Sequence, residues 1–342
     1  MSRASSEPDD DGVPHPRKTP VLFGHAAAEQ TLLDAYRSGR IPHAWLIGGS
    51  PGIGKATLAF RMARFVLAHS DPASAAVQTA ATLAVPADHT ATGLIAAQSH
   101  PDLLLLERTL SDTGKLRTVI RVEDARKVGS FLAATAGLGG WRVVIVDAVD
   151  DLNAESANSL LKGLEEPPAR TLFLLVSHAP GSVLPTIRSR CHRLSLRALA
   201  PDELVQALTA ATGQAPDPGV VSASEGSVSR ALSLSDGPAF KLHTQTMALL
   251  ARLPAIDMRE LHALADNLAT ADSTVLELVM DTANGWLSAR LSDCLPDKAR
   301  AARVADIWGE LSSAARDTDT YNLDRKPLIF RTFGRLADAV RG

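Results

Sequence analysis

The sequence predicts an α/β domain built on a parallel sheet with helices on both faces, followed by a helical lid and an all-α C-terminal bundle. Three observations carry this. The runs AWLIGG (Ala44–Gly49), DLLLLER (Asp102–Arg108), WRVVIVD (Trp141–Asp147) and TLFLLVSH (Thr171–His178) are apolar without alternation. Strands buried on both faces read this way, whereas half-buried strands alternate. Between these runs apolar residues recur at helical spacing, and after Arg197 the strand signal fades into an almost wholly helical pattern.

The first twenty residues, MSRASSEPDDDGVPHPRKTP, combine acids and prolines with no apolar run. A disordered tail over 1–20 is expected, not a signal peptide. In KATLAFRMARFVLAH, residues Leu58, Met62, Phe65 and Val66 share one helical face. Residues 70–99 are alanine-rich, poor in charge and broken by Pro72 and Pro86, which predicts an irregular or partly helical insertion. RVEDARKVGSFLAATA (121–136) and AESANSLLKGLEE (154–166) read as helices, the second stopped at Pro167. PDELVQALTAAT and VVSASEGSVSRALSLSD form a small helical unit, and breaks near Pro254, Asp272, Pro296 and Asp319 divide the remainder into about five helices. One apolar stripe there, Leu242, Met247, Leu250 and Leu253, reads as internal core. The expected division is a tail (1–20), a nucleotide-binding-type domain (21–196), a lid (197–236) and a C-terminal helical domain (237–342).

Composition sets the outer bounds. With 342 residues and 45% hydrophobic content the chain can bury a sizeable core in two or three domains. A net charge of −3 gives no global nucleic-acid signature, so any contact with DNA has to be local or shared with partners. Two distant cysteines, Cys191 and Cys294, argue against a disulfide framework and a four-cysteine zinc site. The absence of an apolar run of about eighteen residues predicts no membrane span, and a cytoplasmic chain is expected.

GGSPGIGKAT (48–57) carries the first chemistry. Gly49, Gly54 and Lys55 fit the phosphate-loop pattern G-x-x-x-x-G-K, with a strand before and a helix after. Gly52 and Gly54 let backbone N–H groups turn toward a phosphate, the helix start adds partial positive charge, and Lys55 reaches the outer phosphates. The next residue, which normally ligates Mg²⁺ through a hydroxyl, is Ala56. Thr57 lies about 100° further round the helix and points elsewhere. Asp147, ending the VVIVD run, is placed to hold Mg²⁺ through water, but the water-orienting glutamate expected next is Ala148. Asp150 and Asp151 follow too late to stand in for it. Positioning and charge neutralisation are most of what a phosphoryl-transfer site supplies. Little or no hydrolysis is therefore expected; weak ATP binding stays an open reading, and no cofactor is required.

HAWLIGGSPGIGKATLA, SHPDLLLLE and WRVVIVDAVDDLNAESANSLLKGLEEPPARTLFLLVSHAPGSVLPTIRSRCHRL together resemble the bacterial clamp-loader subunits of the AAA+ class, over about Val21 to Leu234. LLKGLEEPP (160–168) and LPTIRSRC (184–191) are the most specific pieces. The catalytic members, gamma and tau, would carry an acid–glutamate pair and a hydroxyl residue after the loop lysine. Ala148 and Ala56 instead fit the delta-prime branch.

The resemblance implies that Arg190, in Ser189-Arg190-Cys191, reaches the γ-phosphate of ATP on a neighbouring subunit as an arginine finger. On the residues alone, Arg190 reads as a surface salt-bridge residue. The resemblance also implies a γ-phosphate sensor at Ser177 and a lid motif at Gly226 and Arg230 in which Arg230 faces the chain's own nucleotide. Ser177 can equally cap its strand, and Arg230 can equally be a packing residue. Gly49, Gly52, Gly54, Lys55, Asp147 and Arg230 together make a degenerate nucleotide site. Many relatives carry a four-cysteine zinc module after the loop helix; residues 70–99 hold no cysteine, and His69, His89 and His100 are too sparse, so no metal site is expected. The implied partners are the gamma/tau and delta subunits, with the sliding clamp and primed DNA reached through the complex. The competing readings are an active gamma/tau-class ATPase using Lys55, Asp147 and Asp150, and an unrelated P-loop scaffold.

Overall fold

Five parallel strands form one sheet in the order β2-β3-β4-β1-β5. They are β1 (Ala44–Gly48), β2 (Leu103–Glu107), β3 (Arg142–Asp147), β4 (Thr171–Ser177) and β5 (His192–Ser195). The computed structural model describes residues 15–111, 116–138, 140–235, 237–271, 273–294, scattered positions between 302 and 314, and 323–341. Burial follows strand position. Central β4 is buried at every residue, and β1 likewise, whereas edge strand β5 buries only Leu194. A strand covered on both faces needs apolar residues throughout, which is why the interior strands were legible as unbroken runs.

Helices connect and cover the strands: α1 (Ala26–Arg37), α2 (Lys55–Ala68), α3 (Ala75–Thr79), α4 (Thr90–Ala96), α5 (Val122–Ala133), α6 (Ala154–Glu165) and α7 (Pro185–Arg188). Helix α2 buries the predicted face of Leu58, Met62, Phe65 and Val66. Helix α6 starts at Asn153, whose side chain accepts the Ser156 N–H at 2.8 Å, and ends ahead of Pro167. The lid region contributes α8 (Pro201–Thr212), α9 (Pro218–Ala223) and α10 (Val228–Ser235).

The alanine-rich insertion resolves into two short helices, α3 and α4, joined by irregular chain. Its anchors are apolar: Val77, Leu83 and Ile95 are buried. A buried ion pair secures it further. Glu29 Oε1 accepts from Arg61 Nε at 2.9 Å and from the Leu83 N–H at 3.1 Å. One Glu29 oxygen thus ties α1, α2 and the insertion together.

The expected tail needs correction at its C-terminal end. Residues 1–14 lie outside the described residues, but from His15 onward the chain packs on α2. The His15 ring meets Phe60 edge-on with centroids 5.9 Å apart, and the Arg17 carbonyl accepts from Arg64 Nη2 at 2.9 Å. The Arg17 and Pro20 carbonyls are satisfied by Arg64 and Arg61 of α2, a pairing that proline-rich composition does not reveal.

Contacts divide the chain into two units, one running to Pro216 and including Val221–Ser229, the other comprising Asp217–Val220 and Arg230 onward. This boundary passes through α10, whereas the sequence reading groups 197–236. The second unit contains α11 (Gly237–Ala251), α12 (Met258–Thr270), α13 (Ser273–Cys294) and a C-terminal helix (Arg325–Arg341). Its core gathers Leu250, Leu264, Leu268, Leu287, Leu311, Ile329, Phe333 and Leu336. Of the predicted stripe, Leu242, Leu250 and Leu253 are buried, but Met247 is exposed. Five residues past Leu242, it lies about 140° round the helix. No described helix is long and apolar enough to cross a membrane.

Candidate functional site

The C-terminal ends of the parallel strands collect the predicted residues. β1 delivers the chain into the loop Gly49–Gly54, and α2 begins at Lys55. Gly52 and Gly54 have φ of +72° and +100°, conformations that side chains other than glycine rarely adopt. His25 braces the loop from beneath: its Nε2 donates to the Ile53 carbonyl at 2.7 Å. Burial holds the His25 pKa below its ordinary value, favouring the neutral ring.

Lys55 is buried, and its Nζ donates to the carbonyls of Gly49 at 2.8 Å and Ser50 at 2.5 Å. The amine is thus folded onto its own loop. Burial lowers its pKa to about 8, opposed by the carboxylates of Asp147 and Asp150. Asp147 ends β3, where parallel register sets it beside Glu107 of β2. Burial and that like charge push its carboxyl up to about 6. The position after it is a buried methyl group, Ala148.

Asp150 has a different occupation from the displaced acid the sequence suggested. Its carboxylate accepts from Ser177 Oγ at 3.0 Å and from the backbone N–H groups of His178 at 2.6 Å and Ala179 at 3.2 Å. It caps the end of β4, and Ser177 is its hydroxyl donor. Arg230 is engaged within the helical unit: its Nη2 donates to Thr282 Oγ1 of α13 at 3.0 Å. The Thr282 hydroxyl in turn donates to the Leu278 carbonyl at 2.7 Å.

Arg190 follows α7 on the exposed side of the sheet unit. Ile187 and Cys191, its neighbours in the segment, pack against the sheet core and fix the backbone there. Burial pushes the Cys191 thiol up to about 11, so it acts as a small apolar anchor and not a nucleophile. The guanidinium stays at the surface. Its Nη1 donates to the Thr186 carbonyl at 2.7 Å, and its Nη2 lies 2.7 Å from Glu165 Oε1 at the end of α6. The two most specific sequence pieces therefore meet through one ion pair.

The sequence is similar to one group of known proteins. The family model described as DNA polymerase III, delta subunit matches residues 24–200. The chain is 31% identical over 288 residues to DNA polymerase III subunit delta-prime of Escherichia coli, covering 81% of this chain and 77% of that protein. The chain belongs to the DNA polymerase III delta-prime family. The delta-prime subunit of Pseudomonas aeruginosa is 39% identical over 149 residues, covering 44% of this chain and 41% of that protein, so that alignment spans less than half of either. DNA polymerase III subunit tau of Salmonella typhimurium is 28% identical over 323 residues, covering 90% of this chain and 47% of that protein.

Three residues that contact the predicted ones carry no signal of it in the sequence. His25 carries no motif, and only its hydrogen bond to Ile53 exposes its role. Glu107 ends an apolar run whose pairing with β3 was unknown. Glu165 lies within LLKGLEEPP, but nothing in the sequence spacing pairs it with Arg190.

Proposed function

We propose that this chain is a non-hydrolysing, cytoplasmic subunit of a DNA polymerase III clamp loader. It assembles with gamma/tau and delta subunits and supplies Arg190 to an adjoining ATP site. Through that complex it serves the loading of the sliding clamp onto primed DNA. One contrast carries the reading: the phosphate loop lacks hydrolytic partners, at Ala56 and Ala148, while Arg190 is presented at the surface on a fixed base.

The chain's own donor set does not fit Mg²⁺-ATP for hydrolysis. Ala56 offers no hydroxyl, Ala148 cannot orient water, and Lys55 bonds to the carbonyls of its own loop. Asp150, the nearest substitute acid, is occupied by Ser177, His178 and Ala179. At the adjoining site, a guanidinium forks onto phosphate oxygens and neutralises charge that builds in the transition state. Such an arginine supplied in trans accelerates hydrolysis by about 10³–10⁵-fold.

The second reading, an active gamma/tau-class ATPase, is favoured by the match to subunit tau over 90% of the chain. ATP hydrolysis by the purified chain alone, with and without Mg²⁺ and beside Lys55→Ala, separates the two. No turnover above the variant is expected. Robust turnover that depends on Lys55 would establish a motor subunit instead.

A further inference from the structure

Glu165 is the last residue of α6, where exposed carbonyls make the helix end partly negative. A carboxylate there is electrostatically misplaced, and a cation beside it relieves the cost. Arg190 is that cation, with Nη2 at 2.7 Å from Glu165 Oε1. Both side chains keep solvent access, at 34% for Arg190 and 47% for Glu165, so the contact can open without unfolding anything. Below the guanidinium the segment is fixed: the Arg190 N–H bonds the Ile187 carbonyl at 3.0 Å, and Ile187 and Cys191 are packed. A rigid base with a tip held by a surface carboxylate, Glu165, and by the Thr186 carbonyl has two states, one folded against α6 and one in which Nη2 is released from Glu165.

We propose that Glu165 is a latch for Arg190. It holds the guanidinium against its own subunit until the phosphates of a neighbour's nucleotide compete it away. This rests on the reading of Arg190 as a finger in trans. The same guanidinium face cannot pair with Glu165 and fork onto a phosphate, and a carboxylate left beside a phosphate repels it. The latch therefore makes engagement conditional on nucleotide in the adjoining site. The affinity seen by that nucleotide falls by the fraction of Arg190 that is latched. An exposed ion pair of this kind is weak enough to be broken by a phosphate, and its removal corresponds to about a two- to fivefold change in apparent affinity.

The test is steady-state ATP hydrolysis by the complete clamp-loader complex reconstituted with this chain carrying Glu165→Gln, Glu165→Ala or Arg190→Ala. The expected result is a two- to fivefold lower apparent KM for ATP in both Glu165 variants at unchanged kcat. Arg190→Ala is expected to lose turnover. If Arg190→Ala is impaired and both Glu165 variants match the unmodified complex, the latch is wrong while the finger stands. Glu165 variants impaired like Arg190→Ala would make Glu165 a productive positioning residue and overturn the latch. An unimpaired Arg190→Ala complex would remove the finger reading itself, and the latch with it.

Discussion

The carbonyl oxygen of Gly52 accepts the backbone N–H of Val228 at 2.9 Å and that of Ser229 at 3.4 Å. The start of α10 thus uses the phosphate loop as its cap, satisfying donors that every helix N-terminus leaves open. Ser227 and Ser229 close around Gly52 so tightly that an added Cβ would stand 2.3 Å from Ser227 Oγ.

Gly52→Ala is therefore expected to destabilise the fold even if the loop never holds a nucleotide. The variant faces both a φ of +72° and the clash with Ser227, a cost of about 1–3 kcal/mol. Urea unfolding measures it. A midpoint equal to that of the unmodified chain would mean α10 does not rest on the loop.

Glu29→Ala is expected to be far more costly. It strands the buried Arg61 guanidinium and leaves the Leu83 N–H without its carboxylate. Breaking a buried pair in this way destabilises by about 3–5 kcal/mol. The same unfolding measurement checks it, and protease cleavage within residues 70–99 should accelerate in parallel.

The Asp147 carboxyl, raised to about 6 by burial and Glu107, makes stability depend on pH. Between about pH 4 and 6 the folded chain keeps a proton that the unfolded chain has released. Its contribution to stability therefore declines as pH rises through that window, and the charged form counts against the fold at neutral pH. Asp147→Asn mimics the protonated group. The variant is expected to be more stable than the unmodified chain at pH 7, with the difference closing toward pH 4. An advantage that does not change with pH would contradict the assignment.

The interior strands and edge strand β2 were legible in the sequence, but edge strand β5 was not. β1, β3 and β4 stood out because burial on both faces demands unbroken apolar runs. β5 did not, since an edge strand reading HRLS needs only Leu194 inside. The phosphate loop was legible because its glycines answer a local backbone demand. The Asp150 cap, the His25 brace and the Glu165–Arg190 pair were not, because each joins residues from elements whose adjacency only the fold creates. Arg230 donates a hydrogen bond to Thr282 of α13, a contact between two helices that the lid motif does not reveal.

The most direct test of the central claim compares Lys55→Ala and Arg190→Ala of this chain, each assembled into the complete clamp-loader complex. ATP turnover and clamp loading are then measured side by side. Lys55→Ala is expected to leave turnover unchanged, while Arg190→Ala silences the adjoining site, with a loss there on the order of 10³–10⁵-fold. Turnover abolished by Lys55→Ala and untouched by Arg190→Ala would contradict the central claim, and would place the chemistry in this chain's own loop.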